Sequence, residues 1–139
     1  MDGFDTSNVT DMSSMFRECD ALIELDLSKF DATSVTDIAN MFYGCSALKT
    51  LNMSGFKAPN LETMESLFQG CSALEEINMS GFNTGNVTSL SGIIYTPRNS
   101  FLREIDLRGM EAPELTDMSD MFRNCTSLKT ADLGGINAP

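Results

Sequence analysis

Four cysteines, Cys19, Cys45, Cys71 and Cys125, and ten methionines are the soft, oxidisable atoms of this 139-residue chain. A thiolate is a nucleophile and a zinc ligand, so converging cysteines would be reactive or metal-binding. Here they do not form C-x-x-C pairs. Cys19, Cys45 and Cys71 are each separated by 26 residues, and no histidine exists to complete a metal set or to serve as a general base. The expectation is a buried column of reduced, apolar thiols, with no metal and no cofactor. Methionines Met12, Met64 and Met118, and likewise Met15, Met41 and Met121, recur at equivalent positions and are read as core filling. No Gly-x-Ser-x-Gly or phosphate-cradling glycine loop occurs. The adjacent carboxylates Glu75 and Glu76 point to opposite faces of a strand, so only one of them meets any substrate on the exposed face. The chain is expected not to be an enzyme.

Acidic and amide side chains offer a different chemistry, that of recognition. Asp26, Asn52, Asn78, Asp106 and Asp132 form one column, and Glu24, Thr50, Glu76, Glu104 and Thr130 another. Both have the parity of one strand face and stack into a polar stripe of acidic bias, in which the Asn side chains can hydrogen-bond along the ladder. Glu24, Asp26, Asn52, Glu76, Asn78, Glu104 and Asp106 are the candidate ligand-binding residues, suited to a basic or hydroxyl-rich partner. The same stripe equally serves as a solvated face that resists edge aggregation. A weak calcium site there is conceivable, although the spaced Asp-x-Asp-x-Asp-Gly arrangement is missing.

What positions these columns is a tandem repeat. "MFRECDALIELDL" (15–27) returns as "MFRNCTSLKTADL" (121–133). The units run 4–29, 30–55, 56–81, 82–109 and 110–135, with partial units at 1–3 and 136–139, all in a single solenoid segment. Apolar columns line up through them, among them Phe16, Phe42, Phe68, Ile94 and Phe122. Each unit ends in a Leu-x-x-Leu-x-Leu type triplet whose period of two predicts a short strand, with Ile23, Leu25 and Leu27 buried. Met15, Phe16 and Cys19 fall at i, i+1 and i+4, which predicts a short helix capped by Ser13 or Ser14. "VTDM" is read as a second short strand. The expected fold class is thus an α/β repeat solenoid, leucine-rich-repeat-like and right-handed, with one short strand and one short helix per 26-residue turn. Glycines Gly55, Gly81, Gly109 and Gly135 mark corners that need positive φ.

The fourth unit breaks the symmetry. "GIIYTPRNSFL" loses the aromatic residue and the cysteine and is two residues longer. Pro97 is expected to stop the helix and push out a loop, which makes Tyr95, Arg98 and Asn99 a second candidate contact site. The incomplete units at both ends read as a piece cut from a longer array, with end-to-end self-association through exposed terminal strands as a consequence.

A net charge of −11, from 9 basic and 20 acidic residues, argues against nucleic acid or an anionic membrane as partner. No apolar stretch is long enough for membrane insertion as a helix, and Met1-Asp2-Gly3-Phe4 lacks the features of a signal peptide.

The run "DTSNVTDMSSMFRECDALIELDLSKFDATSVTDIANMFYGCSALKTLNMSGF" resembles the 26-residue repeat of the BspA-like leucine-rich bacterial surface proteins. Its Val-Thr-x-Met, Met-Phe, small-Cys and Leu-strand elements recur along essentially the whole chain. That resemblance implies an extracellular, cell-surface setting and an adhesion or protein-binding role toward a host or matrix protein. The alternative is a structural spacer or stalk repeat with no ligand of its own. The fourth unit departs from the family pattern.

Overall fold

In the computed structural model, which describes residues 5–95 and 101–136, five three-residue strands stack in sequence order. They are β1 (Glu24–Asp26), β2 (Thr50–Asn52), β3 (Glu76–Asn78), β4 (Glu104–Asp106) and β5 (Thr130–Asp132). All pairs are parallel and in register: Leu25 lies against Leu51, Leu51 against Ile77, Ile77 against Ile105 and Ile105 against Ala131. The offset is 26 residues between β1, β2 and β3 and 28 between β3 and β4, so the two extra residues of the fourth unit leave the strand register intact. Coil n denotes the stretch that ends in βn.

The described residues contain no helix, and the fold is a parallel β-solenoid of about four turns. This corrects the expected α/β, leucine-rich-repeat-like solenoid with one helix per turn. The reason lies in where the amides of the Met-Phe segment send their hydrogen bonds. In coil 1 the N–H groups of Met12, Ser14, Phe16 and Glu18 donate to the carbonyls of Asp37, Ala39, Met41 and Tyr43 in coil 2, at 2.9, 3.0, 2.9 and 2.7 Å. The intervening Met15, Arg17 and Cys19 amides close tight turns onto the carbonyls three residues earlier. An α-helix needs every amide to bond four residues back along its own chain. Alternation between a neighbouring coil and a local turn excludes it. Left-handed residues enforce the alternation: Ser14 and Glu18 have φ of 57° and 56°, and Asn40, Gly44, Ser66, Gly70, Gly92, Asp120 and Asn124 repeat the feature. Ser13 and Ser14 accordingly cap no helix.

The segment expected as a second strand, "VTDM", contributes a single bridge residue per coil, Asp11 to Asp37 to Thr63 and then Ser89 to Asp117. A third column of bridges runs through Lys57, Asn83 and Glu111. Three walls therefore frame the stack, the third bridged from coil 3 onward, and the apolar columns fill the space between them. Phe16, Phe42 and Phe68 stack with centroids 5.7 Å apart and planes within 7°. Phe56 and Phe82 form a parallel pair at 5.6 Å. A single coil shelters little, because Val9, Phe16, Leu22 and Leu25 of coil 1 are only partly buried while their counterparts Val35, Phe42, Leu48 and Leu51 are buried. Ile23 departs from expectation: it is 58 % exposed and lies one residue before the strand begins.

Candidate functional site

The strand wall presents its even-parity side chains outward as a trough of about 830 Å³, lined along its length by both polar columns. Glu24, Thr50, Glu76, Glu104 and Thr130 are exposed on it, whereas Leu51, Ile77 and Ile105 beneath are buried. The structure thus brings the sequence-derived candidates Glu24, Asp26, Asn52, Glu76, Asn78, Glu104 and Asp106 onto one surface. It also divides them into two kinds.

The Asp/Asn column is engaged by its own backbone. The Oδ1 atoms of Asp26, Asn52, Asn78, Asp106 and Asp132 each accept a hydrogen bond from the amide two residues on, of Ser28, Ser54, Ser80, Arg108 and Gly134, at 2.9 to 3.0 Å. These are Asx-turns that lead the chain out of the strand, and the following Gly55, Gly81, Gly109 and Gly135 complete the corner with φ of 65° to 81°. The Asn residues thus bond to their own turns, which corrects the expectation of bonds along the ladder. Hydrogen bonding from Ser28 holds the Asp26 carboxyl below the usual range, and Arg108 does the same for Asp106. Arg108 is not legible in the sequence as a site residue. It replaces the serine of the earlier coils, donates to Asp106 Oδ2 at 2.6 Å and reaches Asp132 Oδ2 at 3.6 Å, which offsets the repulsion between two carboxylates on adjacent strands.

The Glu column is different. The carboxylates of Glu24, Glu76 and Glu104 engage no hydrogen-bond or ion-pair partner among the described residues, and all three side chains are exposed. Glu76 and Glu104 sit on neighbouring strands, about 4.8 Å apart along the stack, with Glu24 two strands beyond Glu76. Beside them runs a column of mixed sign that includes Lys49, Glu75, Arg103 and Lys129, in which Arg103 pairs with Glu75 at 3.7 Å. The trough can therefore offer free carboxylates with threonine hydroxyls between them.

The cysteines occupy the opposite chemistry. None is in a disulfide; Cys45 and Cys71 are buried, and Cys19 and Cys125 half-buried. The Cys45 thiol donates to the Phe16 carbonyl at 2.9 Å and the Cys71 thiol to the Phe42 carbonyl at 3.0 Å, so each thiol ties its coil to the one before. Burial pushes the Cys71 thiol up to about 12 and raises that of Cys45, which keeps both protonated near neutral pH. Among the described residues no three His, Cys, Asp or Glu side chains converge as a metal site.

Of the second candidate, Tyr95 is half-buried and its carbonyl accepts from the Gly70 amide at 3.3 Å. Arg98 and Asn99, with Pro97, lie outside the described residues. No curated protein and no solved structure matches this chain. Over residues 1–100 and again over residues 50–137 it matches the family described as Mycoplasma protein of unknown function, DUF285, and the chain belongs to that family.

Proposed function

We propose that this solenoid is a non-enzymatic binding module that offers the strand-wall trough to a protein partner. The observation that carries the reading is the set of free carboxylates Glu24, Glu76 and Glu104, held in line by parallel strands in register. A rigid row of unpaired charge is the arrangement that steers a basic patch and fixes its register. The resemblance to BspA-like surface repeats supports a cell-surface setting and a host or matrix protein as the partner. The same −11 net charge disfavours nucleic acid.

A spacer role is favoured by one specific observation, the use of the whole Asp/Asn column to hold turns. The two readings part on a triple variant, Glu24→Ser, Glu76→Ser and Glu104→Ser. Leaving Asp26 and Asp106 in place keeps the turns, so folding is unaffected. Loss of capture of a Lys-rich or Arg-rich protein by the folded triple variant supports binding. Capture equal to that of the parent chain, or absent from both, supports the spacer.

A further inference from the structure

Among the described residues, the wall formed by the left-handed turns is closed at three of its four seams and open at one. Across the first seam Met12 and Ser14 donate to Asp37 and Ala39; across the second Ile38 and Asn40 donate to Thr63 and Glu65; across the fourth Leu90 and Gly92 donate to Asp117 and Ser119. Return bonds run from Thr36 to Thr10, from Glu62 to Thr36 and from Thr116 to Thr88. At the third seam the equivalent Met64 and Ser66 amides make no bond to Ser89 and Ser91, the Thr88 and Ser89 amides make none to Glu62, and no bridge joins Thr63 to Ser89. The coils still meet on either side, where Asn86 donates to Leu61 at 2.7 Å and Phe68 to Ile93 at 3.2 Å. Between those closures lies a slot of about 380 Å³.

Its two lips are chemically complementary but do not touch. One carries the Met64 and Ser66 donors and the Glu62 acceptor; the other carries the Ser89 and Ser91 acceptors and the Thr88 and Ser89 donors. Unpaired backbone groups look for a partner, and the partner here must accept from one lip and donate to the other. An ammonium group satisfies only the carbonyls and meets the Met64 and Ser66 N–H groups head on. An anion meets the carboxylates of Glu62 and Glu65 and the overall −11 charge. A hydroxyl does both at one atom, accepting from an N–H and donating to a C=O. Successive bridging positions on a lip are two residues apart. A molecule that holds several hydroxyls on a rigid frame fills several positions for one ordering cost.

We infer that this slot binds the hydroxyl edge of a neutral mono- or disaccharide. The volume is at the small end of ligand sites, about 300–1,000 Å³, which suits one or two rings. The hydroxyls of Thr63, Ser66 and Thr88 and the carboxylates of Glu62 and Glu65 stand around it to take the remaining hydroxyls. The inference is independent of the strand-wall trough, whose residues it does not use.

The test is titration of the folded chain with glucose, galactose, N-acetylglucosamine and cellobiose, followed by amide proton–nitrogen correlation spectra. Saturable shifts at Met64, Ser66, Thr88 and Ser89, with Ile38 and Asn40 of the closed second seam unmoved, are expected for at least one sugar. Ser91→Tyr, at the slot's lip, should abolish them, and Lys57→Tyr on another wall should leave them unchanged. If Ser91→Tyr does not fold by circular dichroism, Thr88→Tyr takes its place. Absence of saturable shifts with all four sugars, equal shifts at the closed seam, or shifts that persist in the blocked variant overturn the assignment.

Discussion

The strand wall and the turn wall are built from the same repeat, yet one is continuous over five coils and the other is interrupted after the third. Strands β1 to β5 need only extended backbone and a period of two, so the altered fourth unit passes through them without a lost bond. The turn wall needs a left-handed residue every fourth position and a matching carbonyl one coil away. Ser66 and Gly92 both supply the left-handed residue, but the matching carbonyls are not met between Glu62–Ser66 and Thr88–Gly92. At the same seam the aromatic stack stops at Phe68, since Ile94 takes the next place, and the thiol column has no member in coil 4. Among the described residues, strand pairing holds on both sides of the altered fourth unit, whereas turn pairing holds on one side of it and fails on the other.

The largest effect expected is from Phe42→Ala. Phe42 is fully buried between Phe16 and Phe68, and its removal should cost about 3–5 kcal/mol in urea unfolding. Phe16→Ala, at the half-exposed end of the stack, should cost less than half of that. Equal costs would mean that the stack does not act as a column.

Next comes the pinch beside the slot. A Cβ on Gly85 meets the Leu61 nitrogen at 2.6 Å and the Pro59 carbonyl oxygen at 2.7 Å, at φ of 53°. Gly85→Ala should therefore cost more than about 2 kcal/mol. Gly81→Ala, with nothing within 4 Å and only its φ of 69° to overcome, should cost about 1 kcal/mol. Similar losses in chemical denaturation would show that the third seam can spread freely.

Acid acts on all walls together. Hydrogen bonds from the residue two positions on lower the carboxyls of Asp5, Asp11, Asp26, Asp31 and Asp117, and the contacts of Arg108 lower that of Asp106. A depressed folded-state value contributes stability that is present above the unfolded value, about 3.9, and is lost as pH falls through the folded one. The urea midpoint should be insensitive to these groups between about pH 7 and 5 and fall below about pH 4. Asp11→Asn, which keeps the turn acceptor without the charge, should flatten part of that fall.

The smallest effect is also the most direct comparison of the two kinds of seam. Each missing inter-coil bond is worth about 1 kcal/mol, so the Met64, Ser66, Thr88 and Ser89 amides should exchange with deuterium roughly five-fold or more faster than Ile38, Asn40 and Glu62. Equal protection would close the slot.

Much of this architecture is legible in the order of the residues. The columns of Phe16, Phe42 and Phe68 and of Cys19, Cys45 and Cys71 follow from identical spacing, and Leu25, Leu51, Ile77 and Ile105 announce a strand by alternation. Of the expectations that fail, the helix is the largest, and the cause is specific. Met15, Phe16 and Cys19 at i, i+1 and i+4 satisfy one face of a helix, but they also satisfy a chain of tight turns that carries the same residues inward. Two columns hold the discriminating signal: Ser14, Asn40, Ser66, Gly92 and Asp120, and Glu18, Gly44, Gly70 and Asn124. Glycine and small polar residues recurring at one position are the trace of positive φ, and six non-glycine residues adopt it among the described residues. In the trough, alternation is enough to put Glu24 and Asp26 on the same face. It cannot separate them, because capture of Asp26 by the Ser28 amide depends on how the chain leaves the strand.

From the letters alone came the period, the apolar columns, the strand face and its acidic character, since stacking identical units forces equivalent residues into line whatever path the chain takes between them. Only the tertiary structure decided the path itself: turns in place of a helix, carboxylates that hold corners apart from carboxylates that stay free, and one seam left open among four. Those outcomes rest on which carbonyl each amide meets across a neighbouring coil, a choice made at the scale of a single hydrogen bond between residues some 25 positions apart.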